Sequence, residues 1–186
     1  MYQPAFPAIR NFDGIAPTLG ERVLIDPAAT VIGAVALGDD SSVWPAAVVR
    51  GDVNSIRIGA RTSVQDGCVL HVSHKGPLTP NGFPLVVGDD VTLGHKVTLH
   101  GCTVGSRVIV GMGAIVLDGA VIEDDVVLAA GSLVPPGKRL ESGFMYKGSP
   151  AQKARPLTAE ELAYFTYTAG HYVKLKDKYL VELGRY

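Results

Sequence analysis

Apolar residues return at every sixth position along most of this chain, and few folds tolerate such a period. Ile25, Val31, Leu37, Val43 and Val49 form one run, and Ile58, Val64 and Leu70 a second. Val87, Leu93 and Leu99 form a third, and Val104, Val110, Val116, Ile122, Leu128 and Val134 a fourth. An amphipathic helix would repeat at 3.6 and a half-exposed strand at 2. A hexad period belongs to a parallel β-helix, in which each hexad is one short strand plus a corner and three hexads close a triangular coil. The spacing predicts an all-β coil over residues 23–149. Small or apolar residues two places before many markers, such as Ala47, Cys68, Cys102, Ala114 and Ala120, should also turn inward. Cys68 and Cys102 are then core fillers rather than ligands or a disulfide.

The period also counts faces. Leu70 and Val87 are 17 residues apart, one hexad plus an insertion composed like a loop, 72–86, with His74-Lys75-Gly76-Pro77 and Asn81-Gly82-Phe83-Pro84. Leu70 and Leu99 then share a face on successive coils. His71 and His100, each directly after its marker, should stack at the strand spacing of roughly 4.8 Å. His95 follows Leu93 by two and falls one face earlier, so within one chain it should point away from that pair. If all three bind one metal, a neighbouring subunit supplies the third ligand, and a closed threefold ring of prisms satisfies this.

After Pro150 the pattern changes. Thr158 and Glu161 form a capping box, and Leu162, Phe165, Tyr172, Leu175 and Tyr179 recur at helical spacing. A C-terminal helix, 158–184 with its cap and helical over 159–183, should pack along the coil and bridge subunits. Tyr164, Tyr167, Tyr172 and Tyr179 are most simply packing residues and His171 a surface histidine. The 186 residues read as one domain, 1–186. A net charge of −1 argues against nucleic-acid or anionic-membrane partners. With no signal-like run in Met1–Gly14 and no stretch long enough to span a bilayer, the chain reads as cytoplasmic.

Several short motifs carry a resemblance: Arg50-Gly51-Asp52, Gln65-Asp66-Gly67, Leu70-His71, Gly94-His95, Leu99-His100-Gly101, and Gly148-Ser149-Pro150-Ala151 before the helix. Over nearly its whole length the chain resembles the γ-class carbonic anhydrases, in their short bacterial, ferripyochelin-binding-like, hexapeptide-repeat branch. The resemblance implies a left-handed β-helix, a homotrimer and metal sites between subunits, with His71, His95 and His100 as ligands. Three neutral imidazoles leave Zn2+ its full charge and an open position, so bound water ionises near neutral pH, as is established for carbonic anhydrase. Zinc-bound hydroxide would attack CO2 to give bicarbonate; Fe2+ or Co2+ could replace Zn2+ at such a site. By the same resemblance Gln65 bonds the bound hydroxide or product, and Tyr172 projects over the metal. Arg50 pairs across the interface with an aspartate, Asp66 ahead of Asp52. Read without the family, Arg50 and Asp52 are an ordinary surface pair worth at most about 1 kcal/mol.

The chain also departs from the family pattern. Val53 stands where a glutamate should follow Arg-Gly-Asp, and the insertion after His71 has no acidic proton shuttle. His74 has a suitable imidazole but reads better as an exposed loop residue. Two other classes compete with a hydratase: a hexapeptide acyltransferase using a coenzyme A thioester, and an assembly protein that binds metal with little or no turnover.

Overall fold

The computed structural model describes residues 8–184. The first seven residues and the last two, which belong to the 1–186 span and to the reading of Met1–Gly14, lie outside the described residues. The described chain is a parallel β-helix of three faces. Face A holds the first halves of the long strands Thr30–Leu37 and Val48–Ile58, then Val69–His71, Thr98–His100, Ile115–Val116 and Leu133–Val134. Face B holds their second halves, then Leu85–Val87, Thr103–Val104, Val121–Ile122 and Arg139–Leu140. Face C runs from Leu24–Ile25 through Thr92–Leu93 to Phe144–Lys147. The chain visits A, B and C in turn.

Every hexad marker is at most 4% exposed, and all belong to one continuous core column. Each inward Val, Ile or Leu contributes on the order of 2 kcal/mol by burial, so the sixfold period is the period of the core itself. Cys68 and Cys102 are buried free thiols in that column. Desolvation pushes them up to about 11 and about 12 respectively.

The coil begins earlier than residue 23. Ile9–Arg10 and Thr18–Leu19 already pair with Thr30–Leu37. At the other end Gln152–Pro156 turns back antiparallel on Phe144–Lys147, a strand that the period does not announce. The insertion is shorter than 72–86, because Leu85 already opens a strand.

The helix Ala159–Glu182 has the expected capping box: Thr158 accepts from the Glu161 backbone, and Glu161 accepts from the Thr158 backbone. Its buried stripe differs from the expected one. Phe165, Ala169, Lys176 and Leu180 are buried, whereas Leu162, Tyr164, Tyr167 and Tyr179 are exposed. Leu180 joins Leu24 and Trp44, with Tyr172 and Leu175 against them. Lys176 reaches Asp40 at 2.9 Å, which is why a lysine occupies the inner face. Asp40 belongs to a corner column of left-handed residues, Arg22, Asp40, Arg61, Asp90, Arg107 and Asp125, whose charges alternate and pair along the coil.

Candidate metal centre

His71 and His100 end adjacent strands of face A in direct register. Their outward positions follow from strand alternation, since the residues before them, Leu70 and Leu99, point into the core. His71 Nδ1 and His100 Nε2 lie 3.1 Å apart. The opposite ring nitrogens are both held by carboxylates: His71 Nε2 is 2.9 Å from Asp52 Oδ1, and His100 Nδ1 is 2.6 Å from Asp118 Oδ1. Asp52 also bonds Arg50, and Asp118 accepts from Ser73 Oγ at 2.8 Å. Burial pushes the Asp52 carboxyl up, but hydrogen bonds from His71 and Arg50 outweigh it and hold the group below the usual carboxylate range.

His95 lies elsewhere. It follows Thr92–Leu93 at the corner between faces C and A, while His71 and His100 sit at the corner between A and B. His95 and His100 thus occupy opposite edges of face A. His95 Nδ1 is 3.0 Å from Asp66 Oδ2, and both side chains are half exposed. The same edge has a cleft of about 320 Å³ lined by Gln65, Asp66, His95, Tyr172, His171 and Trp44, among others.

Two half-sites therefore emerge. Arg50 and Asp52 accompany His71 and His100; Gln65, Asp66 and Tyr172 accompany His95. Within the chain Arg50 pairs with Asp52, two residues on along the same strand, and Asp66 sits beside His95 instead. Among the described residues, no group of three His, Cys, Asp or Glu in one chain could hold a metal ion. The His71–His100 pair nevertheless fits one. Tetrahedral zinc with nitrogens at 2.0–2.1 Å sets them roughly 3.3 Å apart, close to the observed separation.

No family model matches the chain. It is 57% identical over 172 residues to Protein YrdA of Escherichia coli, covering 92% of this chain and 94% of that one. A probable carbonic anhydrase of Methanocaldococcus jannaschii is 40% identical over 159 residues, 86% of this chain and 96% of the other. The chain belongs to the γ-class carbonic anhydrase family. Gamma carbonic anhydrase 1 of Arabidopsis thaliana mitochondria is 41% identical over 90% of this chain, which spans 60% of that longer protein. Among solved structures, a hexapeptide transferase family protein from Anaplasma phagocytophilum superposes with a TM-score of 0.86 at 38% identity, covering 94% of this chain and 99% of that one. A putative acetyltransferase from Bacillus cereus gives 0.86 at 37%, covering 92% and 95%. The coil is the left-handed β-helix of hexapeptide-repeat proteins.

Set against its family, the chain's departures occupy exposed ground. Val53 is 46% exposed and His74 lies on the surface of the insertion. Asp118, Ser73 and Trp44 were not singled out by the motifs. Asp118 had a signal: it follows His100 by 18 residues, one coil, and so returns to the same corner.

Proposed function

We propose that this protein is a metal-dependent hydratase converting CO2 and water to bicarbonate and a proton released to solvent, at sites shared between neighbouring copies of a homotrimer. The contact of His71 Nδ1 with His100 Nε2 at 3.1 Å carries this reading. Ionised Asp52 and Asp118 can only accept, so they hold hydrogens on His71 Nε2 and His100 Nδ1. Two imidazole lone pairs are left facing one another, an arrangement relieved by a shared proton or, in this reading, by a metal cation between them. Asp66 beside His95 Nδ1 favours the same state there, leaving Nε2 free. Three neutral imidazoles suit Zn2+, with Fe2+ or Co2+ as alternatives. Such an ion, when bound, supplies a Lewis acid that makes water nucleophilic near neutral pH.

The edges of face A support the trimer. Only a second copy can bring His95 to the other pair. Between the two edges, face A exposes Val69 and Ile115, with Val48 and Leu133 half-buried in the same row. A ring of three with face A towards the axis covers that row and completes three sites. In this arrangement Gln65 and Tyr172 arrive with His95, where the amide orients the reacting oxygen or the product. Arg50, fixed by Asp52, has donors left for Asp66 of the partner subunit. The near-balanced charge argues against a nucleic-acid partner, and no helix among the described residues is long and apolar enough to cross a membrane.

Likeness to structures described as a hexapeptide transferase and a putative acetyltransferase supports one competing reading, acyl transfer from a coenzyme A thioester. A single histidine base would suffice for that, leaving the His71–His100 contact without a purpose. Metal analysis of anaerobically purified protein, stopped-flow CO2 hydration and acetyl-CoA turnover separate the readings. Bound metal with hydration supports the hydratase. Thioester turnover without hydration overturns it, and stoichiometric metal with neither activity leaves a metal-binding assembly protein.

A further inference from the structure

The insertion after His71 is anchored to the corner that carries His100, and the anchoring chain of contacts ends on a ring nitrogen of that histidine. Ser73 and Phe83 exchange backbone hydrogen bonds of 3.0 and 3.2 Å. Asn54 Nδ2 donates to the carbonyls of Ser73 and Asn81 at 3.1 and 3.2 Å. Phe83 lies on two glycines of successive coils. A Cβ on Gly101 would sit 2.6 Å from Phe83 Cβ, and one on Gly119 would sit 3.0 Å from its ring. So seated, the insertion sends Ser73 Oγ to Asp118 Oδ2, while Asp118 Oδ1 takes the hydrogen of His100 Nδ1.

We propose that Asp118 and Ser73 are positioning residues for His100, and that the insertion is the strap that sets the tautomer and aim of this metal ligand. The inference rests on the metal-site reading above. His100 and Asp118 are each about one third exposed, so water competes for a carboxylate held at one oxygen only. With both oxygens engaged the carboxylate plane is fixed, the hydrogen stays on Nδ1, and Nε2 keeps its lone pair towards His71. Outer partners of this kind are worth 10–100-fold in metal affinity when removed.

The test uses the whole protein stripped of metal. Zn2+ affinity is measured by competition with a chromogenic chelator, the Co2+ derivative by its visible absorption, and the metal-free fold by thermal unfolding. Asp118→Asn should weaken Zn2+ by about 10–100-fold and alter the Co2+ bands, with metal-free unfolding unchanged. Ser73→Ala should shift both in the same direction by less, and should add nothing in an Asp118→Asn background, because Ser73 acts through Asp118. Wild-type affinity in Asp118→Asn, or a Ser73 effect that persists in full without Asp118, overturns the proposal. If Asp118→Asn does not fold, the conservative Ser73→Ala decides alone, and wild-type affinity and Co2+ bands in it overturn the strap. A His100→Ala control distinguishes this failure from that of the site. Zinc lost in His100→Ala but kept in Asp118→Asn sinks the positioning role alone. Zinc that survives both His71→Ala and His100→Ala sinks the site and the strap with it.

Discussion

The two partners of the helix-docking ion pair should respond unequally to substitution. Lys176 is fully buried, 2.9 Å from Asp40 and also bonded to Asp177. Asp40 keeps some access to water and takes two further hydrogen bonds from Arg22, at 2.9 and 2.6 Å. Lys176→Met removes a charge and leaves an apolar chain of similar length beside a carboxylate that still has Arg22. One-sided loss of a buried pair is costly when it leaves an uncompensated buried charge, and here Asp40 stays paired with Arg22 and in reach of water, so the loss should stay within about 1 kcal/mol. Asp40→Asn instead strands a buried ammonium with Asp177. Breaking a buried pair from one side typically costs 3–5 kcal/mol, and with Asp177 retained we expect about 2–3. Backbone strain does not confound the comparison, because Asp40 has φ of 58° and asparagine tolerates that region. Urea denaturation followed by circular dichroism measures both losses. Near-ultraviolet signals report helix seating through Trp44, whose ring lies 5.1 Å from that of Tyr179 and 6.4 Å from that of Tyr172. Equal losses, or a larger one in Lys176→Met, would refute this reasoning.

Three further outcomes are expected. The thiols of Cys68 and Cys102, pushed up to about 11 and about 12 by burial, should resist an aromatic disulfide reagent at pH 8 until the chain unfolds; rapid native labelling would mean that the core opens there. Hydrogen bonds from Arg155 and from the Thr158 backbone hold Glu161 down at about 2. Its folded value lies below its ordinary 4.5, so the cap's contribution is complete above that value and is lost as pH falls towards 2. Helical signal should decline over that window in wild type, and an identical acid profile in Glu161→Gln would contradict the cap's role. Gly94→Val should cost about 1–3 kcal/mol by overpacking and lower zinc content, since a Cβ there would sit 2.9 Å from the Met112 backbone nitrogen of the next coil. Unchanged denaturation midpoint and zinc content would show that the coils part freely beside His95.

The core was legible because its period is a packing period: each marker from Ile25 to Val134 points inward, and counting hexads across the insertion gave the His71–His100 register. The first coil was not, since Ile9–Arg10 and Thr18–Leu19 are two-residue strands, and Leu19, although six residues before Ile25, is 41% exposed and closes no run of its own. The helix's inner face was misread at Lys176, which hydropathy assigns to solvent and only Asp40, far away in the chain, explains. The Arg50–Asp52 contact within the chain follows from strand geometry, in which residues two apart share a side, whereas a pair between Arg50 and Asp66 concerns neighbouring copies and is not read from one chain. The partnership of Ser73, Asp118 and His100 spans the insertion and a further coil, so no local spacing could join all three.

Subunit mixing tests the shared site most directly. Trimers of His95→Ala and of His100→Ala, each unable to bind zinc, are dissociated, mixed and reassembled, with exchange verified by mass. Some interfaces then join a chain that keeps His95 to one that keeps both His71 and His100, and zinc binding should return in part. Mixing His71→Ala with His100→Ala should restore none, because both changes strike the same edge of face A. Equal recovery in the two mixtures, or none in the first despite verified exchange, would contradict a metal centre assembled from opposite edges of neighbouring chains.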